Sequence, residues 1–415
     1  MKKSFNQILD NPINTKSYLL ICLIAASFLL RILAVYFVKD THIDNEWNVL
    51  LNNLTEYKSF SFYTFNNELI PSVLMPPMYV FFLYLIKTIT FFDGNNLLYA
   101  IIFIQVILST YSVYLFYKIN QYFFSNRLSL INSTIFSILP LNIYACGQIS
   151  SINLQIIFSL FFLNYLFLII TKETNRNIII FSIISGLLFL TRGEFILIFF
   201  LIYFFIIWKN KLKLINLIKI AVVVTLIISP YLLRNYIHFN QFFLVKSLGY
   251  NLWKGNNEFS NVDGYENLSK NEFSELKFKI NNVKKNKYYE INRDDIFLNE
   301  AKKNLSKDTF RYIKLFFKKI TSYYFIDINS NYPNYYNFFH YVPILFISIL
   351  SLPGLFIFYK KSKFENKCLS LYFFSNLIIF SIFFILPRYK LIILPIQIIL
   401  AAYLIQYLVN KLKKN

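Results

Sequence analysis

Apolar runs of 15 to 22 residues recur along the whole of this chain, which points to a stack of membrane-spanning helices rather than a soluble core. They fall at 17–38, 97–117, 128–145, 152–170, 177–191, 194–208, 214–232, 338–359, 368–386 and 391–409. With 56% hydrophobic and only 15% charged residues, the 415-residue composition excludes an ordinary soluble domain. The first run, Ser17 to Val38, makes a helix of about 33 Å, enough to cross hydrocarbon. It is too long for a signal-peptide core and lacks a small-residue cleavage site, so it reads as an anchor.

The net charge of +21 raises the question of nucleic acid. Topology explains it better, because the lysines line the flanks of the apolar runs; no nucleic-acid partner is expected. Cys22, Cys146 and Cys368 are widely spaced and odd in number, and three scattered histidines add no metal pattern.

Orientation turns on "MPPMYVFFLYLIKTITFF", residues 75 to 92. If this stretch stays on one surface and the N-terminus is cytoplasmic, seventeen Lys and Arg in short segments share the cytoplasmic side. If it crosses, that grouping is broken. Pro76-Pro77 and Lys87 also argue against a crossing. The expectation is therefore a juxtamembrane helix at the outer surface. Ten crossings follow, in the inner (plasma) membrane with both termini cytoplasmic. Two outer loops are large, 39–96 and 233–337, the second with a helix near Arg293 to Tyr324. No internal repeat and no separate soluble domain is visible. The chain reads as one membrane domain over 1–415: a transmembrane module at 17–232, the long outer loop, and C-terminal helices at 338–409.

Ionisable residues are scarce enough to be informative. "HIDNEWNVLL", 42 to 51, carries Asp44 and Glu46 just past the first helix, between His42 and Trp47. Acids at a membrane exit are commonly just solvated. Here Trp47, Val49, Leu50, Leu51 and Leu54 follow at helical spacing, which places Asp44 at the start of an interfacial helix. A carboxylate fixed there can serve as a general base.

"FLTRGEF", 189 to 195, interrupts what would be one run of about 48 Å, too long to cross upright. The stretch reads as a hairpin with short arms, Arg192 and Glu194 at a tip dipping toward the membrane. They are either a self-satisfied ion pair or the lining of a wet cavity. Arg234 marks the exit of the seventh run, and Gly249 with Gly255-Asn256-Asn257 punctuates a constrained aromatic stretch after it. "LPRYKLIILP", 386 to 395, places Arg388 and Lys390 at the start of the last helix. Snorkelling suits Lys390 well. Arg192, Arg234 and Arg388 together offer planar forks on one face, suited to phosphate.

These segments, with "LPLNIYACGQISSINLQ" and "RNYIHFNQFFLVKSLGYNLWKGNN", give the chain its resemblance to the GT-C-fold glycosyltransferases. That group contains the protein O-mannosyltransferases, the lipid A aminoarabinose transferases and the RgtA/B/C/D-like proteins. No single segment is specific; their order and spacing over nearly the whole chain carry the likeness. It implies an all-α GT-C-like bundle of about ten transmembrane helices with juxtamembrane helices in the first outer loop. It further implies transfer of a sugar from a polyprenyl-phosphate carrier to a glycolipid, glycan or protein on the non-cytoplasmic side. Asp44 takes the role of the catalytic acid residue, with Glu46 supporting it. Arg192, Arg234, Arg388 and Lys390 hold the phosphate, and His42, Trp47, Gln148, Asn153, Glu194, Asn256 and Asn257 line the acceptor cavity. Many relatives carry a second acid where this chain has Gln148, Ser150, Ser151 and Asn153, which argues against a second carboxylate role or a divalent metal here. No cofactor is expected beyond the donor itself. The alternatives are a transporter or flippase of lipid-linked sugars, and an oligosaccharide ligase or polymerase. The absence of matched broken helices weighs against the transporter.

Overall fold

In a computed structural model, which describes residues 13–43, 45–330, 337–360 and 363–413, each of the ten apolar runs is helical. The chain begins with α1 (Ile13–Phe37), enters the first large loop through α2 (Asn45–Tyr57), and forms a hairpin of β1 (Ser61–Phe65) and β2 (Glu68–Pro71). The hairpin is an element the all-α reading omitted. Asn66 and Asn67 carry its turn at φ 51° and 63°, the left-handed pair that tight hairpins require. Next comes α3 (Pro77–Thr90), whose 14 residues make about 21 Å, short of the roughly 30 Å hydrocarbon thickness. Pro77 occupies its first turn, where a missing N–H costs nothing, and Phe91 ends it at φ 58°. Tyr79, Leu83 and Ile86 pack on Leu97, Leu98 and Ile101 of α4 (Gly94–Asn120), so α3 lies against the bundle as a juxtamembrane helix.

The third run is bent. α5 (Asn126–Ile138) and α6 (Pro140–Cys146) meet at 59° because Pro140 cannot donate to the preceding turn. The carbonyls freed there find side chains: Asn142 Nδ2 donates to Phe136 O (3.2 Å) and Arg31 Nη1 to Ser137 O (3.2 Å). Arg31 is fully buried in α1, and its Nε also donates to Ser109 Oγ of α4 (2.8 Å). One intramembrane guanidinium thus fastens three helices with neutral acceptors.

α7 (Ile152–Thr171) leads to α8 (Asn175–Thr191), α9 (Phe195–Trp208) and α10 (Leu214–Phe239). The second large loop contains α11 (Leu248–Gly255), α12 (Ser274–Asn281), α13 (Tyr289–Lys307) and α14 (Thr309–Tyr324). The single helix expected from Arg293 to Tyr324 is thus two, divided at Asp308, whose carboxylate accepts from Arg311 N (3.1 Å) and caps α14. α15 (Phe338–Tyr359), α16 (Phe364–Ile382) and α17 (Lys390–Leu412) complete the chain.

Among the described residues, six helices are long and apolar enough to cross a membrane, and the bent α5–α6 pair makes seven. The other three expected crossings are the short arms α8 and α9, and α16, whose buried Asn366, Ser370, Ser375 and Asn376 dilute its hydropathy. The protein is a multi-pass, helical membrane bundle with both large loops on one face.

α15 and α17 form the most extensive helix pair, and Gly354 makes it possible. A Cβ there would stand 1.9 Å from Leu400 O, which is backbone and cannot rotate away. Gly354→Ala is expected to cost about 1–3 kcal/mol, as overpacking does. A lowered thermal midpoint of the purified protein checks this; an unchanged midpoint would show that the two helices slide freely.

Candidate active site

Two turns of helix lie below the loop-bearing face. α8 and α10 run in parallel, Gly186 against Ile227. Beyond this contact α8 ends at Thr191 while α10 continues to Phe239, so Arg192 sits roughly 10 Å deeper than the end of α10. Likewise Ser348 of α15 meets Lys390, the first residue of α17, although α15 began ten residues earlier. With Gly354 against Leu400 setting the backbone register, the turn joining α16 to α17 is therefore recessed by roughly 9 Å. The two recessed turns meet: the Arg192 guanidinium lies 4.3 Å from the Tyr389 ring centroid and 5.6 Å from that of Phe380. Glu194 is 3.6 Å away, and Arg388 stands half-buried beside Tyr389. The tip expected from sequence at 192–194 is present. Its arms splay, however, because α9 packs on α16 rather than along α8.

Three helix C-termini converge on this recess, and each leaves carbonyls without intrahelical partners. Lys319 Nζ donates to Gly255 O at the end of α11 (2.8 Å), to Phe383 O past the end of α16 (2.5 Å) and to Asn256 Oδ1 (3.0 Å). Lys390 Nζ donates to Tyr323 O (3.1 Å), to Tyr324 O, and to Ser348 Oγ (3.1 Å), which closes the end of α14. Burial lowers Lys319 to about 7. Gly255 must be glycine, since a Cβ would stand 2.0 Å from Phe383 O.

The second large loop aligns the wall above. One turn apart on α13, Glu290 and Asp294 face two neighbours. Glu290 accepts from Val73 N (2.6 Å) and Ser72 Oγ (2.9 Å) in the first loop. Asp294 accepts from Gly249 N (3.1 Å) and Tyr250 N (2.8 Å) at the start of α11. Burial raises both carboxyls, and these bonds oppose it. Between them Arg293 Nη1 donates to Tyr63 Oη of the hairpin (2.6 Å). Tyr250 Oη donates to Glu266 Oε2 (2.7 Å); burial, that bond and the charges of Glu266 and Glu46 raise its pKa, while Arg293 opposes. Lys254 pairs with the same Glu266 and lies 5.0 Å from the Phe384 ring, which contacts Tyr389. A line of polar and aromatic side chains thus runs from Tyr250 through Glu266, Lys254, Phe384 and Tyr389 down to Arg192.

Several residues read as substrate contacts are bonded within the protein. Arg234 donates to Ser72 O (2.8 Å) and Phe60 O (2.9 Å), tying α10 to the hairpin. Lys390 is buried on carbonyls as described. Asn153 Nδ2 donates to Ala145 O (2.8 Å); Asn256 Nδ2 bonds Leu252 O and Ile382 O; Asn257 Nδ2 bonds Trp253 O and Tyr265 O. In each case the donor goes to a carbonyl in a loop or near a helix end, and Ala145 O and Trp253 O accept a backbone N–H as well. Trp47 packs edge-on against Tyr79 (4.9 Å), joining α2 to α3. His42 is exposed, with Nδ1 2.8 Å from Thr41 Oγ1, and Gln148 lines a cavity near the end of α1. Asp44 lies outside the described residues; Glu46 is in the first turn of α2. Among the described residues no group of three His, Cys, Asp or Glu could hold a metal ion.

Sequence reasoning missed Asp40, whose carboxylate accepts from Ile149 N (2.6 Å) and whose own N–H donates to Gly147 O (3.0 Å). It also missed Lys319, Tyr250, Lys254, Arg293 and Tyr389. The aromatic after Arg388 and the Lys-Gly-Asn-Asn run were the available signals.

Residues 75–233 match the family described as dolichyl-phosphate-mannose-protein mannosyltransferase. No curated protein sequence matches the chain. The archaeal oligosaccharyltransferase AglB from Archaeoglobus fulgidus, in complex with an inhibitory peptide and a dolichol-phosphate, superposes with a TM-score of 0.60 at 15% identity. The match covers 96% of this chain and 51% of AglB, so the chain spans about half that protein's length. ArnT from Cupriavidus metallidurans bound to undecaprenyl phosphate gives 0.57 at 10% identity, covering 93% of this chain and 60% of ArnT. The fold is the GT-C fold.

The buried ammoniums generate a prediction opposite to the snorkelling expectation. Lys390→Met strands the carbonyls of Tyr323 and Tyr324, at about 1–3 kcal/mol for each buried group left unpaired. Its thermal midpoint is expected to fall well below that of Arg388→Lys, measured in the same detergent. Equal midpoints would mean that water replaces the ammonium.

Proposed function

We propose that the protein is a glycosyltransferase that moves a sugar from a polyprenyl-phosphate carrier to an acceptor on the non-cytoplasmic face. The observation that carries this reading is Arg192 held on Tyr389 in a recess below the loop-bearing face, with Arg388 beside it. A recess at that depth suits the phosphate of a lipid whose tail stays in the bilayer, and guanidinium forks suit its oxygens. The solved structures with the same fold hold dolichol-phosphate or undecaprenyl phosphate, which supports the class of donor. The clustering of Lys and Arg on the short connections supports placing the loop-bearing face outside.

In the proposed step an acceptor oxygen or nitrogen attacks the anomeric carbon opposite the phosphate. The bond between that carbon and the phosphate oxygen breaks, and the phosphate keeps the electron pair. The nucleophile's proton passes to Asp44, with Glu46 orienting the acid. Arg192 and Arg388 stabilise the charge gathering on the leaving phosphate, so no general acid is required. A second reading, transfer of a whole oligosaccharide, draws on the likeness to AglB; offering monosaccharide and oligosaccharide donors side by side separates the two.

Two experiments test the roles. Asp44→Asn removes basicity but keeps shape, so turnover is expected to drop about a hundred- to ten-thousand-fold with donor binding near normal. Glu46→Gln keeps measurable turnover. A fully active Asp44→Asn enzyme would remove the base.

Arg192→Lys and Arg388→Lys keep charge and lose the fork. Each is expected to weaken polyprenyl-phosphate binding about tenfold or more, the value of a charged hydrogen bond. Arg388→Lys is the cleaner probe, because Glu194 competes for Arg192. Unchanged affinity in both would refute a phosphate clamp.

A further inference from the structure

A groove of about 430 Å³ lies between α4 and α7, at the opposite end of the bundle from the Arg192 recess. α4 starts where the first large loop ends, so its last turns, which line the groove, reach the face bearing the short connections. The two helices run in parallel, with Tyr111 beside Phe161 and Tyr122 beside Phe167. Both are long and apolar enough to cross a membrane. Phe103, Ile107 and Tyr111 are exposed at four-residue spacing along α4, so the groove opens sideways onto lipid rather than onto water. Nothing in the proposed transfer step uses it.

Its chemistry changes with depth. Tyr114, Tyr111, Phe161 and Tyr165 form a row of rings from one helix to the other, with successive centroids 5.5, 5.7 and 6.4 Å apart. Lys118 stands seven residues past Tyr111, about 10 Å nearer the surface. Its Nζ lies 5.5 Å from the Tyr114 centroid, which holds the ammonium over the groove. Gln121 follows at the mouth; its Nε2 donates to Tyr117 Oη (3.1 Å) and Asn126 Oδ1 (2.8 Å), which leaves its carbonyl for a ligand. Among the described residues no carboxylate lines the groove or pairs with Lys118. The hydroxyls of Tyr111, Tyr114 and Tyr165 and the side-chain amide of Asn164 likewise have no hydrogen-bond partner among them. One ammonium, four unspent polar groups and no acid select a single negative charge.

We propose that this groove binds an anionic phospholipid of the phosphatidylglycerol kind, drawn from the leaflet opposite the large loops. Lys118 pairs with the phosphodiester, and the amides of Gln121 and Asn164 meet the hydroxyls of the head. The row of rings takes the glycerol backbone and the first methylenes of a chain. Basic pockets between membrane helices suit such heads. A zwitterionic head would bring a second cation against Lys118, with no carboxylate to receive it. A polyprenyl phosphate is a monoester that carries more charge and no hydroxylated head, so it leaves both amides unused. Lys118 also differs from Arg127 and Lys172, which are exposed on the same face and line no groove.

The test uses phosphatidylglycerol carrying a diazirine high in one acyl chain, and phosphatidylcholine with the same chain. Each is photolysed with the full-length protein in phosphatidylcholine vesicles, and labelled peptides are mapped by mass spectrometry. Labelling of 107–122 and 158–168 by the phosphatidylglycerol is expected to exceed that by the phosphatidylcholine about fivefold, the effect of one lysine on a charged head. Lys118→Gln is expected to make the two probes equal, and Lys172→Gln to leave the preference intact. Equal labelling of the unaltered protein would show annular lipid only and overturn the inference. So would a preference that survives Lys118→Gln or disappears in Lys172→Gln, since either points to the general charge of that face. Suppression by soluble glycerophosphate would show an anion site without a lipid, and suppression by undecaprenyl phosphate at equal concentration a second donor site; both overturn it. Should Lys118→Gln fail to fold, Asn164→Leu, which removes the amide at similar volume, takes its place with the same expected loss.

Discussion

The ends of three helices meet in one recess, and the rest of the site depends on how their carbonyls are satisfied. α11, α14 and α16 all run toward it with their C-termini, so their dipoles bring partial negative charge to one place inside a membrane protein. Water does not freely reach such a point, and unpaired carbonyls there are costly. Lys319 and Lys390 supply six hydrogen bonds between them, mostly to these carbonyls, and the dipoles favour the charged form that burial opposes. No carboxylate partners either ammonium among the described residues. The recess is built from cation–carbonyl contacts rather than from ion pairs.

That construction explains why the arginines above it remain suited to a ligand. With the helix ends closed by lysine, Arg192 rests near the Tyr389 and Phe380 rings with Glu194 3.6 Å away, and Arg388 stands half-buried beside Tyr389. A guanidinium resting on rings retains in-plane N–H groups for an anion. The depth of the turn is set by the short arms α8 and α9 and by the late start of α17, and it is the depth that the proposed lipid-phosphate donor would require.

The outline of the fold was legible because a membrane enforces it. Each of the ten apolar runs became helix, and Pro76-Pro77 with Lys87 marked α3 as a surface element. The tip at Arg192 was legible by length alone. The site was less so, and for one reason. Arg234, Lys390, Asn153, Asn256 and Asn257 are polar residues in a greasy chain, so each attracted a ligand role, yet each satisfies a carbonyl. Whether a carbonyl lacks a partner depends on where helices end and which loops meet them. That is tertiary information, absent from the spacing of residue types. Lys319 was hidden the same way, in a loop whose many other lysines are solvated. The hairpin did carry a signal, in Asn66-Asn67 and in the alternation Ser59-Phe60-Ser61-Phe62 leading to it, over a stretch only a few residues long.

The two clamps on α13 show how a loop that is nearly featureless in sequence can still set geometry. Glu290 and Asp294 are four residues apart, hence on one face, and they reach different partners: the backbone after the hairpin and the first turn of α11. Either bond alone would fix one loop and leave the other free to drift. Together they tie the segment after the hairpin and the start of α11 to a single helix, with Arg293 held between them on Tyr63. The first large loop brings α2 and the hairpin and the second brings α11, so their relative position is set by α13, a helix of the second loop bonded to both. A hydrogen-bonded brace of this kind holds two loops in fixed register, which the proposed chemistry would require of its site.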